Sequence, residues 1–224
     1  MIRIYEHLHK ENKGETMSKL DMKIARRIAH YDPDGQLDHT ARLFMAMGRI
    51  NHESTLLHMQ RVALASEATA KNLDWDTKAA FFAGLLHDIG KYILPAKLFD
   101  GHEIDEAEYA EIKTHAINGF KILKTLGHGF TAMCAGLHHA IYSQGYGLTT
   151  QELPRSWSPE TVKKFLDISA LISVCDFIDA FTHRGTKLRD GTSKTGGSQL
   201  KELLYDKYPN DHHIIDIALF HIIK

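Results

Sequence analysis

Residues 79–91 read AAFFAGLLHDIGK, and this run decides how the rest of the chain is understood. Its first eight residues are apolar all round a helix, and a helix without a polar face is a buried one. His87 and Asp88 close that helix, so they must be paired, hydrogen-bonded or metal-bound, because a lone buried carboxylate costs several kcal/mol. Adjacent helical side chains point about 100° apart. The two residues therefore suit two sides of one cluster, either as two ligands of one ion or with Asp88 bridging two ions. Lys91, a turn further on, comes round to the same side, where its ammonium suits an anionic phosphate.

Working outward, helical spacing dominates in both directions, and alternating apolar and polar runs bounded by turns are nearly absent. The spacing predicts an all-α fold with helices over 15–30, 38–50, 53–72, 76–90, 105–126, 129–142, 159–183, 197–207 and 211–223. Asp38, Ser158 with Pro159 next, and Asp211 resemble N-caps. Tyr109, Ile112, Ala116, Gly119, Leu123 and Leu126 form one stripe that should face a core. YDPDGQLD, residues 31–38, lacks the glycine position and closing glutamate of a calcium loop and reads as a turn. It separates an N-terminal helical extension, 1–35, from the main domain, 36–224. The C-terminal helix puts Ile214, Ile217, Ala218 and Ile222 in register, for packing on the domain or on a second copy.

Composition narrows the class. The 224 residues carry 27 Lys plus Arg against 28 Asp plus Glu, so no broad basic surface exists for polymeric nucleic acid or an anionic membrane. The longest apolar run, residues 165–181, holds three aspartates and reads as a buried helix. MIRIYEHLHKENKGE has no apolar core with a cleavage site, which points to the cytoplasm. Cys134 and Cys175, the only two cysteines, lie in apolar helical stretches as small buried hydrophobes. The anomaly is 16 histidines, since imidazole is costly to bury charged and is the commonest metal ligand.

Some histidines and acids are placed where they can act. Asp176 and Asp179 are three apart on one face of the buried helix, where a cation or a buried Arg or Lys must partner them. Taken singly, His58 and His115 are more often hydrogen-bonded core residues than ligands. His138 and His139 stand side by side near an apolar stripe, which favours neutral, ligating imidazoles. His183 is close enough in sequence to Asp179 to line the same pocket. The loop RGTKLRDGTSKTGG, residues 184–197, is either a phosphate-contacting lid or a solvated connector.

The order His58, His87–Asp88, His115, His138–His139, Asp176 resembles the metal-binding pattern of the HD superfamily of phosphohydrolases. Its spacing is similar to the HD-GYP branch. The resemblance runs from about Leu56 to Arg184 on HxxRV (58–62), LLHDIGK (85–91), THxxxGxxIL (114–123), LHHAIYSQGYG (137–147) and CDFIDAFTHR (175–184). It implies an HD-type helical bundle in which His58, His87, Asp88 and Asp176 hold one ion. His115, His138 and His139 would hold a second, with Asp88 shared. Imidazole-rich, carboxylate-bridged sites suit iron or manganese, with zinc and nickel as alternatives. Three motifs depart from the branch: Ala140 replaces an acidic residue, QGYG replaces the Gly-Tyr-Pro tail, and HRGTK replaces the basic motif after the last aspartate. Ser54 stands where some relatives carry a third-metal glutamate, so two ions are expected.

The resemblance further implies a phosphohydrolase in which two divalent ions make hydroxide available. Lys91 would stabilise charge on phosphorus, Asp88 would bridge, and Asp179 would orient a ligand or accept a proton. The expected substrate is a phosphorylated small molecule or nucleotide, with a cyclic dinucleotide foremost, and a homodimer is possible. Two alternatives stand beside it: a di-iron oxygenase on the same ligands, and a non-catalytic nucleotide-binding signalling module.

Overall fold

The computed structural model describes residues 18–142, 145–183 and 197–222, so the 184–197 loop, apart from Gly197, and residues 1–17 of the N-terminal extension lie outside the described residues. Every regular element among the described residues is helical, and none is a strand. The fold is all-α, as its spacing predicts.

The chain begins with α1 (Lys19–Tyr31), α2 (Gln36–Asn51), α3 (Glu53–Asn72) and α4 (Thr77–Leu86). A 3-10 turn, Ile89–Ile93, follows α4 directly. Next come α5 (Glu106–Lys113), α6 (His115–Thr125), α7 (Gly129–Leu137), the long α8 (Pro159–His183), α9 (Gly197–Lys207) and α10 (His212–Ile222). Side-chain caps set several of the starts. Ser18 Oγ accepts from Asp21 N at 3.0 Å, and Asp76 Oδ1 accepts from Ala79 N at 2.9 Å. Asp105 and Glu108 form a capping box on α5.

Apolar faces sort the helices into two clusters. One gathers Phe165, Leu171, Ile172 and Ile178 of α8 with Val62, Ala83, Leu137, Leu204 and Ile214. The other joins Ile24 and Ile28 of α1 to Phe44, Met59, Phe81, Leu85 and Leu123. Helices α3, α4 and α7 feed both clusters, so their polar residues meet along the seam between them. The apolar face of α10 lies on α3 and α8 of the same chain. No described helix is long and apolar enough to cross a membrane.

Several expected boundaries move, and the moves matter. The helix expected over 76–90 stops at Leu86, with His87 as its C-cap and Asp88 at φ −105°, ψ 9°. Packing explains it: a Cβ on Gly90 would fall 2.0 Å from the carbonyl oxygen of His115, so the chain turns tightly there against the start of α6. The helix expected over 105–126 divides at Thr114. Only Ala116, Gly119 and Leu123 of its stripe are buried, while Leu126 is exposed. The helix expected over 129–142 ends at Leu137, again with a histidine, His138, as its C-cap. Asp38 is inside α2 rather than capping it. Asp32 takes that role, accepting from Leu37 N at 2.9 Å and Asp38 N at 3.3 Å, while Asp38 pairs with Arg42.

Candidate metal centre

Helix ends, rather than helix faces, carry most of the polar residues at the seam. His87 and Asp88 leave the C-terminus of α4, His138 and His139 leave that of α7, and His115 opens α6. Only His58 on α3 and Asp176 on α8 project from helix interiors. His58, His87, Asp88, His115, His138 and Asp176 are all buried, and His139 is nearly so.

Each of three rings commits one nitrogen to its own chain. Nδ1 of His87 donates to Gly84 O at 2.8 Å, Nδ1 of His115 to Ile112 O at 2.6 Å, and Nδ1 of His138 to Ala135 O at 2.8 Å. That i to i−3 contact assigns the tautomer and leaves the Nε2 lone pair facing inward. His58 reaches the same state differently, with Nδ1 donating to Asp179 Oδ2 at 2.7 Å. The Nε2 atoms of His58, His87, His115 and His138, with Asp88 Oδ1, are buried and make no well-formed hydrogen bond. Buried polar atoms rarely go without partners, and five converging on one point have the chemistry of a cation site.

Asp88 lies at the middle of the group. Its Oδ2 is 3.4 Å from His87 Nε2 and 3.6 Å from His58 Nε2, while its Oδ1 is 3.1 Å from His115 Nε2 and 3.9 Å from His138 Nε2. Asp176 closes the other side, with Oδ1 2.9 Å from His58 Nε2 and 3.9 Å from His87 Nε2, and Oδ2 4.0 Å from His139 Nε2. Three overlapping sets of donor atoms can each surround an ion: His58, His87 and Asp88; Asp88, His115, His138 and His139; and His87, His138 and Asp176. All seven ligand positions expected from the sequence therefore meet in one place.

Electrostatics separate acids from bases. Burial alone would raise the Asp88 carboxyl, but the charges of Lys91, His87 and His115 hold it well below the usual carboxylate range. Asp176 behaves alike: burial pushes it up, while His58, His139 and His87 bring it well below. Burial, with His87 and His115 adding to it, drives His138 down to about 3. Burial and His138 take His139 far down too, and His115 is lowered chiefly by burial. His87 goes the other way: burial lowers it, but Asp88 and Asp176 raise it overall. Ionised carboxylates beside the neutral rings of His115, His138 and His139 are forms that bind metal.

The three residues expected to be catalytic are placed differently from one another. Asp88 is central. Asp179, buried, faces away from the ligand cluster: beyond His58 it takes a fork from Arg61, with Nε to Oδ1 at 2.7 Å and Nη2 to Oδ2 at 2.8 Å. It is a positioning residue for His58. Lys91 is also buried, and its ammonium turns back onto Asp88 Oδ2. Its first effect is therefore on that carboxylate. His183 sits beside the same relay, with Nδ1 3.1 Å from Asp179 Oδ1.

Two contributors escaped sequence reasoning. Arg61 belongs to the HxxRV run, yet its partner Asp179 is 118 residues away, and nothing local announces the pair. Tyr146 lays its ring over His139, centroids 4.5 Å apart, and meets His115 edge-on at 5.9 Å. The glycines of GYG were the available signal. A Cβ on Gly145 would fall 1.8 Å from His139 O, and one on Gly147, at φ 113°, would fall 2.3 Å from Gly136 O. The segment can press Tyr146 onto the imidazoles only because those two residues have no side chain.

A helical bundle that turns five imidazoles and two carboxylates toward a shared inner point defines a divalent-metal-binding domain. Residues 55–180, more than half of the chain, match the model of the HD domain, and the protein belongs to the HD domain family. Among solved structures, the chain is similar to the crystal structure of the L. monocytogenes phosphodiesterase PgpH HD domain. The TM-score is 0.52 and the identity 16%, over 80% of this chain and 95% of that one, a likeness of fold. No curated protein matches the chain.

Proposed function

We propose that the protein is a metal-dependent phosphohydrolase that uses a binuclear centre to cleave a phosphate ester of a nucleotide, most specifically a cyclic dinucleotide. The observation that carries this reading is the position of Asp88, whose two oxygens face different pairs of imidazoles. Membership of the HD domain family supports the metal dependence. Two divalent ions, iron or manganese by the donor set, would supply Lewis acidity and a water acidified toward neutrality.

The chain's own residues do the rest. In this reading His58, His87, Asp88 and Asp176 would form one half of the donor set, Asp176 lying within 4 Å of the His58 and His87 Nε2 atoms, and His115, His138 and His139 would form the other half around the shared Asp88. Asp179 with Arg61 holds the His58 ring in one orientation. Lys91 keeps Asp88 ionised and supports the negative charge that gathers on phosphorus at the same edge. Tyr146 covers the His139 and His115 rings, which limits water on that side. The thiols of Cys134 and Cys175 are buried and unlinked, in keeping with a cytoplasmic setting.

The HD-GYP affinity belongs to this reading through the HxxRV, LLHDIGK and His138–His139 runs, with GYG in place of the Gly-Tyr-Pro tail. The test is direct. Protein loaded with Mn(II) or, anaerobically, with Fe(II) should bind two ions by elemental analysis. It should also hydrolyse bis(p-nitrophenyl) phosphate, and one member of a panel containing cyclic di-GMP and linear nucleotides. Absence of metal-dependent turnover on every substrate overturns the proposal.

A further inference from the structure

Beyond the residues matched to the family, α9 ends in a lysine held in an unusual way. The ammonium of Lys207 lies 3.5 Å from the ring centroid of Tyr142, 5.3 Å from that of Phe177 and 5.8 Å from that of Tyr208. Among the described residues it has no carboxylate or carbonyl partner, whereas the lysines at 78, 163, 164 and 201 each pair with an aspartate. Ring faces attract a cation, but they leave its three N–H donors without acceptors. The site is close to the metal centre. Tyr142, on which the ammonium rests, has its hydroxyl 3.5 Å from Nδ1 of His139, and Phe177 is the neighbour of Asp176 on α8. Burial lowers the Lys207 pKa, and the charge of Asp176 works against that shift.

We infer that Lys207, seated on Tyr142, Phe177 and Tyr208, binds a second phosphate of the substrate while the first lies at the seven-residue cluster. The inference rests on the phosphohydrolase reading and deepens it. It restricts the substrate to molecules carrying two phosphates, such as dinucleotides, rather than simple monoesters. An anionic oxygen would give the half-buried ammonium the acceptors that the rings cannot.

The test uses the full chain loaded with Mn(II) and two probes: the linear dinucleotide 5′-pGpG, with a second phosphate, and bis(p-nitrophenyl) phosphate, with one. Calorimetry should show pGpG binding weakened about 10-fold in Lys207→Met and kept within about 2-fold in Lys207→Arg. The loss in Lys207→Met should exceed, by a similar factor, any loss of kcat/KM on bis(p-nitrophenyl) phosphate. Equal losses on both probes, an unchanged pGpG affinity, or no pGpG binding by the wild type each overturn the inference. Thermal unfolding guards against a structural role: if Lys207→Met and Lys207→Gln both unfold while Lys207→Arg does not, the charge serves the fold and the inference falls. Lys207-dependent binding of pGpG without turnover of either probe would sustain this site and defeat the hydrolase reading alone.

Discussion

Asp179 accepts the Nδ1 proton of His58 at 2.7 Å, and this contact decides which nitrogen of that ring faces the centre. The ring otherwise has two equivalent ways to point. Arg61 locks the carboxylate with a two-pronged contact of its own. Substituting Asp179→Asn leaves the shape but weakens both contacts. Outer partners of metal-bound histidines typically contribute 10–100-fold in affinity. Asp179→Asn should lower Mn(II) affinity by about that factor in calorimetric titration, and Arg61→Met by less, with Arg61→Lys partly restoring it. Equal affinity in wild type and Asp179→Asn would remove the positioning role.

Among the described residues, Asp88 is the one carboxylate within reach of four imidazole nitrogens and of Lys91. Asp88→Asn should therefore reduce bound metal by at least one ion per chain and lower kcat on bis(p-nitrophenyl) phosphate by about 10³-fold or more. It also leaves the buried Lys91 without its acid, at a cost of about 3 kcal/mol. Elemental analysis, turnover and chemical denaturation check the three parts separately.

Gly90 makes the turn after the His87–Asp88 pair possible, because any Cβ there meets the backbone of His115. Gly90→Ala should destabilise the protein by about 2–3 kcal/mol, through forced movement of α6 against that turn. Gly129→Ala, where a Cβ meets nothing within 4 Å, should stay within about 0.5 kcal/mol. Urea denaturation of the two variants side by side distinguishes them.

Asp21, outside the ligand cluster, also makes stability depend on pH. Burial would raise its carboxyl, but Gln60, Ser18 and Arg49 lower it below the ordinary value, and Arg49 Nη2 lies 2.5 Å from Oδ1. A carboxylate depressed by folding stabilises the native state above its unfolded pKa of 3.8, and the contribution is lost as pH falls through the lower folded value. Asp21→Asn should cost about 1–2 kcal/mol at pH 7. The gap between wild type and variant should narrow below about pH 4, as followed by thermal unfolding across pH.

Much of this architecture is legible in residue spacing. The bounds of α3 and α8 follow from apolar periodicity, with the Ser158–Pro159 start signal for α8, and His58 and Asp176 lie well inside those helices. What periodicity does not reveal is where a helix gives way to a contact from elsewhere. The residues after Leu86 and Leu137 have helical composition, yet the chain leaves the helix at both places. Gly90 must clear His115, and Leu148 N donates to Gly136 O at 2.8 Å. Asp179 shows the same limit: three residues from Asp176, it shares a helix face with a ligand yet faces Arg61. Lys207 was invisible for another reason, since Tyr142 and Phe177, two of its three aromatic neighbours, come from distant stretches of chain.

Because the donor atoms hang mainly from helix termini while the apolar residues fill helix middles, the molecule divides its labour between skeleton and chemistry. Interior leucines and phenylalanines can be exchanged, at a cost in stability, without redirecting an imidazole. A handful of junction residues, by contrast, decide which donor atoms turn inward, and Gly90 among them also keeps α6 seated against the turn. Such a bundle is free to drift toward new substrates by reshaping the segments that leave those junctions, with its skeleton unchanged.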